Sequence, residues 1–166
     1  RGIYVNPEEI LMQRDKVEKG LQQEAVSSGK DAVCCLDDIM WETLKAVKAD
    51  NVFNSEEVVN YELGLEKKAS EPMPGAREVL TYLQSLGTRV ICISDSYLSL
   101  NQMATILEHH GLLKCIDKLY VSSDVGRSKV TGKLFQHVIE NEGSKIVHVG
   151  DNYLFDNSIP RMLAIK

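Results

Sequence analysis

The chain has 166 residues, a net charge of −5 and 43% hydrophobic residues, which suits one domain, or one domain with a modest insertion, around a real core. The acidic balance, the lack of a basic patch and the few aromatics argue against nucleic acid, whose phosphates need clustered Lys and Arg. No apolar run approaches membrane-spanning length, and the opening stretch RGIYVNPEEI has no apolar signal-peptide segment.

Residues 7–71 read as helix throughout. Asn6-Pro7 followed by Glu8 and Glu9 is a helix start, with proline at the first position and acids on the positive end of the dipole. A second helix is expected from near Asp31, because Val33, Leu36, Met40, Leu44 and Val47 recur in three- and four-residue steps. Met40 and Trp41 should belong to its core face. A third follows Asn54-Ser55, with Glu56 and Glu57 in its first turn. Glu62, Glu66, Lys67 and Lys68 on this helix look like a solvated face. The stretch Glu71-Pro72-Met73-Pro74 is the one clear linker. It divides a helical unit, 6–73, from a second unit, 74–166, and the hinges are expected there and just after Arg1.

Beyond Pro74 strands and helices alternate. PGAREVLTYLQSLG is a helix, RVICIS a short strand, and SLNQMATILEHHG a helix with Ser99 and Gln102 spaced as a capping box. KLYVSS is a strand, TGKLFQHVIENEG a helix expected to be capped by Thr131, and KIVHVG a third strand. This alternation predicts an α/β fold, a doubly wound parallel sheet with helices on its faces. Ligands of such sheets sit beyond the carboxyl ends of the strands. The polar groups Ser94-Asp95-Ser96, Ser122-Ser123-Asp124 and Gly150-Asp151 collect at that end. The cysteines Cys34, Cys35, Cys92 and Cys115 show no C-x-x-C spacing, and adjacent Cys34 and Cys35 cannot easily bridge. They read as reduced and buried, in a cytoplasmic protein without a zinc site.

The stretch HVGDNYLFDN places Asp151 and Asp156 in one turn after a strand. Two nearby carboxylates repel and raise each other's pKa unless a cation offsets the repulsion. With a hydroxyl, Ser94, and an ammonium, Lys129, at the same sheet mouth, the set suits a phosphate held with Mg²⁺, which prefers hard oxygen ligands. Lys133 competes with Lys129 for the cationic role, and the six-residue spacing from Lys129 to Phe135 favours Lys129. Asp95 and Asn152 either touch substrate or tie loops together. His109 and His110, before Gly111, suit a helix C-terminus. His148 reads as a satisfied core histidine.

Taken in order, these motifs resemble the haloacid dehalogenase-like (HAD) hydrolase superfamily over residues 74–163. Ser94 matches its second-motif Ser/Thr, Lys129 its third-motif lysine, and Asp151 with Asp156 its fourth-motif acids. The pattern looks closest to bacterial hydrolases of this superfamily found beside or fused to glycosyltransferases. The resemblance implies a Rossmann-like core with an inserted all-helical cap. It also implies a Mg²⁺-dependent phosphatase acting on a small phosphorylated metabolite, sugar- or glycan-related, through an aspartyl-phosphate. Ser94 and Lys129 would be catalytic, Asp95 and Asn152 substrate-binding, and Asp151 and Asp156 metal ligands.

One departure is serious. The family's first motif, D-x-D on an apolar strand, supplies the nucleophile, and it is absent here. The only other acidic pair, Asp37-Asp38 in VCCLDDIM, has the wrong spacing and helical period. That strand lies between those ending at Ser94 and Gly150, and without it they would stand about twice the normal spacing apart. The residues are therefore expected to be the interior of a longer polypeptide, inactive alone, with the nucleophile upstream. The competing readings are a non-catalytic HAD-like module of a larger protein such as a glycosyltransferase, or mutase or dehalogenase chemistry. A dehalogenase needs no metal pair. A response-regulator receiver carries its acids on an early strand rather than the last.

Overall fold

A computed structural model describes residues 6–143 and 145–166. The hinge expected beside Arg1 lies outside the described residues. Helix α1 (Pro7–Ser27) starts where Asn6 accepts the Glu8 N–H, and α3 (Ser55–Ala69) starts in the same way from Asn54 to the Glu56 N–H. Helix α2 (Leu36–Ala46) begins five residues later than expected. The segment from Asp31 to Cys35 is not helical, because its polar groups are taken by distant partners. The Asp31 carboxylate accepts from Ser128, and the Leu36 N–H donates to the Tyr97 carbonyl.

After the linker come α4 (Ala76–Ser85), β1 (Ile91–Ser94) and α5 (Leu100–His109), then β2 (Lys118–Val121), α6 (Ser122–Val125), α7 (Lys133–Glu142) and α8 (Ile159–Met162). The capping box at α5 forms as expected, with Ser99 and Gln102 satisfying each other's backbone N–H. Helix α7 does not use Thr131 as its cap. Gly132 holds that position with φ 77°, while the Thr131 hydroxyl donates to Asp31 and accepts the Lys133 N–H only at 3.4 Å. His110 meets the Ser70 hydroxyl at 3.0 Å, which fits its structural reading.

Strands β1 and β2 pair in parallel, Ile91 opposite Lys118 through Ser94 opposite Val121. The third expected strand, 145–150, forms no ladder among the described residues. Its burial still alternates: Ile146 and His148 are half-buried, while Val147 and Val149 face solvent. The His148 N–H donates to the Lys166 carbonyl at 2.8 Å, and the Lys166 N–H donates to the Ile146 carbonyl. Those two bonds are one rung of a parallel pairing. Toward β1 no backbone bond is made, so the edge of β1 opposite β2 is unpaired among the described residues. Even so, Ile91, Ile93 and Ile146 pack on the same cluster of Tyr120, Leu134 and Val138 beneath α7. They pack on one side of α7, and among the described residues no backbone bond joins β1 to segment 146–149.

The helical half is not separate in its packing. Leu36 and Met40 of α2 and Val59 and Leu63 of α3 share one apolar cluster with Leu98 and with Ile106 of α5. Trp41, expected in the core, is instead half exposed, with the Lys45 ammonium 4.7 Å from its ring. The expected solvated face of α3 is also partly engaged. Glu62 pairs with Arg14 at 2.7 Å, and Glu66 accepts from the Tyr97 hydroxyl at 2.8 Å. Burial and the Glu66 carboxylate push the Tyr97 hydroxyl up to about 12. The four cysteines are free, as expected, but only Cys115 is fully buried.

Candidate active site

Lys129 sits in the turn between α6 and α7, beyond the carboxyl ends of both strands. Its backbone N–H is gripped by both carboxylate oxygens of Asp95, at 2.8 and 2.9 Å, one residue past the end of β1. Its side chain reaches across to Asp156, with the ammonium 2.7 Å from Oδ1. Both side chains are largely buried, 14% and 6% exposed. Asp156 also meets the His148 ring at 2.9 Å and accepts the Asn152 N–H at 3.2 Å. The His148 ring in turn stands edge-on to Phe135, centroids 5.0 Å apart, and Phe135 is fully buried on α7. His148 is therefore a satisfied, half-buried histidine.

Burial pushes the Asp156 carboxyl up. The bonds from Lys129, His148 and the Asn152 N–H, with the Lys129 charge, outweigh it and hold the group at about 2. For Asp95 burial wins, and its pKa is raised against the pull of the Lys129 N–H and charge and the Val130 N–H. Gly150 explains itself here by close approach. A Cβ at that position would lie 2.5 Å from Asp156 Oδ2, so only glycine leaves room for the carboxylate.

Lys133 is occupied elsewhere, 2.7 Å from Asp31. The structure thus puts Lys129, and not Lys133, beside the last acidic turn. Ser94 ends β1 and is half-buried, and Asp151 is exposed. No hydrogen bond joins either of them to the Lys129–Asp156 pair among the described residues. Asp95 and Asn152 both tie loops: Asp95 as above, and Asn152 by accepting the Leu154 and Phe155 N–H groups. Ser122, Ser123 and Asp124, expected to join the site, hold the neighbouring loop through Ser96, Leu98 and Leu100. Asp37 and Asp38 lie in the first turn of α2, not at a strand end.

A cleft of about 320 Å³ opens beside Asp95. Glu18, Gln22 and Cys34 line it from the helical half, and Ser96, Ser128 and Thr131 from the α/β half. A larger one, about 710 Å³, lies beyond Asp31 and carries none of Ser94, Lys129, Asp151 and Asp156. Among the described residues no three His, Cys, Asp or Glu side chains gather as a metal site. Mg²⁺ does not require three, since it keeps several waters and commonly takes one or two carboxylates plus substrate oxygens. By donor chemistry the two carboxylates fit that ion.

No helix of the described residues is long and apolar enough to cross a membrane. A search of curated proteins gives no significant match. Among solved structures the chain is similar to YfnB from Bacillus subtilis, assigned as a HAD-hydrolase and solved bound to magnesium in a form that reveals interdomain movement. The TM-score is 0.59 at 16% identity, covering 99% of this chain and 73% of that one, a likeness of fold. The family model for haloacid dehalogenase-like hydrolases matches residues 10–156. With an α/β fold, a parallel strand pair and a helical half beside it, the chain belongs to the haloacid dehalogenase-like hydrolases.

Proposed function

We propose that this protein is a Mg²⁺-dependent phosphohydrolase of a small phosphorylated metabolite, sugar- or glycan-related, with the helical half, 6–73, as its cap. The observation that carries the reading is the buried Lys129–Asp156 pair, joined to the end of β1 through Asp95. An ammonium held at a sheet mouth stabilises charge that develops on a transferring phosphoryl group. Ser94, at the end of β1, would donate its hydroxyl to a phosphoryl oxygen. Asp151 and Asp156 would hold Mg²⁺, which when bound neutralises phosphate charge. The attacking carboxylate would come from a strand in the gap between β1 and segment 146–149, forming an aspartyl-phosphate that water hydrolyses. The cleft lined by Glu18, Gln22 and Cys34 would take the rest of the substrate. The magnesium and the interdomain movement of YfnB accord with this reading.

The test is turnover of an aryl phosphate by the full-length protein with and without Mg²⁺. Asp151→Asn should abolish the Mg²⁺-dependent rate and leave the melting temperature within a degree or two, because Asp151 is exposed. Lys129→Ala should lower kcat with less effect on the Mg²⁺ concentration needed. A full-length protein that carries both first-motif aspartates and turns over no phosphate ester would return the chain to the rival reading, a non-catalytic module of a larger protein.

A further inference from the structure

The turn from Ser128 to Lys133 is held from two sides by two carboxylates. Asp95, at the end of β1, takes the Lys129 N–H. Asp31, between α1 and α2 in the helical half, takes the Ser128 N–H at 2.8 Å. Consecutive backbone donors are thus gripped by acids from the two halves of the molecule. Asp31 is only 4% exposed and has further partners on the same turn: the Thr131 hydroxyl at 2.6 Å, the Lys133 ammonium at 2.7 Å and, more weakly, the Ser128 hydroxyl at 3.4 Å. Burial pushes its carboxyl up, and the Lys133, Thr131 and Ser128 bonds outweigh burial and hold it at about 2. The turn closes on itself as well, through Gly132 N–H to the Lys129 carbonyl and Leu134 N–H to the Ser128 carbonyl. Lys129 is thus part of a turn closed on itself by its own backbone bonds.

We infer that Asp31 is a positioning residue for Lys129. It docks the helical half onto the Ser128–Lys133 turn, so that the Lys129 ammonium meets Asp156 only while the two halves are together. A carboxylate that only stabilised the helical half would have its partners there. Among the described residues the partners of the Asp31 carboxylate lie 97 to 102 residues away, on the turn that carries the lysine. The inference rests on the reading of Lys129 given above for its catalytic consequence, and on geometry alone for the placement itself.

The experiment compares wild type, Asp31→Asn and Lys133→Met in the full-length protein. Three readouts are taken: amide exchange over residues 127–133, the rate at which an acylating reagent labels the Lys129 amine, and kinetics on an aryl phosphate. Asp31→Asn should speed exchange in that segment at least tenfold, speed Lys129 labelling several-fold, and lower kcat about tenfold with KM within twofold. Lys133→Met keeps the Asp31–Ser128 bond and removes one side-chain bond to the turn, so it should shift Lys129 labelling in the same direction and by less than Asp31→Asn. Should Asp31→Asn fail to fold, Thr131→Val removes one of the bonds and should give the same shifts at smaller amplitude. Unchanged labelling of Lys129 overturns the inference, as does a loss of exchange protection spread evenly over the chain. A wild type without turnover removes the phosphatase reading, while exchange and labelling still decide whether Asp31 places Lys129.

Discussion

Replacing Lys129 by Met keeps a stem of similar length and removes the charge from a carboxylate that is only 6% exposed. The wild-type Asp156 carboxyl is held at about 2 against an ordinary 3.8. At about 1.36 kcal/mol per pKa unit, that difference is worth roughly 2 kcal/mol of stability. Losing one partner of a buried pair costs about 3–5 kcal/mol when the remaining charge is left alone. Here His148 and the Asn152 N–H remain, so the lower figure applies. We expect Lys129→Met to lose about 2 kcal/mol at pH 7, or about 4–8 °C in melting temperature for a chain of this size. The pH dependence identifies the cause. Because the folded-state pKa lies below the unfolded one, Asp156 contributes its stability above about pH 4 and loses it as pH falls toward 2. The deficit of the variant should therefore be full at pH 5–7 and should shrink steadily below pH 4. Urea unfolding followed by circular dichroism from pH 3 to 7 measures this. A deficit that stays constant across that range would falsify the charge argument and assign the loss to packing.

Gly150→Ala should destabilise by roughly 1–3 kcal/mol, because the added methyl meets the Asp156 carboxylate; a wild-type melting curve would mean that the carboxylate lies elsewhere. Ser99→Ala removes one half of a capping box and should cost about 1 kcal/mol in chemical unfolding, with Thr as the substitution that restores it. Phe135→Ala empties a fully buried site beside His148 and should cost about 3–5 kcal/mol. A loss under 1 kcal/mol by the same urea titration would show that the α7 layer is not packed as described.

What the sequence made legible was local. The caps at Asn6, Asn54 and Ser99 act within three residues of their own helix, so spacing alone reveals them. Strands β1 and β2 follow from short β-branched runs between turn residues. Lys129 and Asp156 could be picked out because their order along the chain resembles a family pattern, and the structure puts them in contact. What stayed hidden depends on distant partners. Nothing near Asp31 announces that its carboxylate binds a backbone N–H 97 residues away, so helical period carried the start of α2 too far toward the N-terminus. Glu62 and Glu66 looked solvated because Arg14 and Tyr97 come from other elements. Thr131 had the spacing of a cap, yet Gly132 holds that position and the Thr131 hydroxyl is drawn to Asp31, 100 residues away. Segment 145–150 had strand composition and kept its alternation, but a ladder needs a neighbour, and its only rung among the described residues is with Lys166.

The edge of β1 opposite β2, unpaired among the described residues, also bears on how the chain behaves in solution. A row of open N–H and C=O groups is a template for any extended segment. Val147 and Val149, 73% and 88% exposed on a neighbouring extended segment, add apolar surface of the kind that drives association. Any form of the protein in which this slot stays empty should be adhesive, pairing with a second molecule or with a stray strand, and it should lose solubility as concentration rises. The edge that Ile91–Ser94 leave open among the described residues is thus where a competing strand would dock.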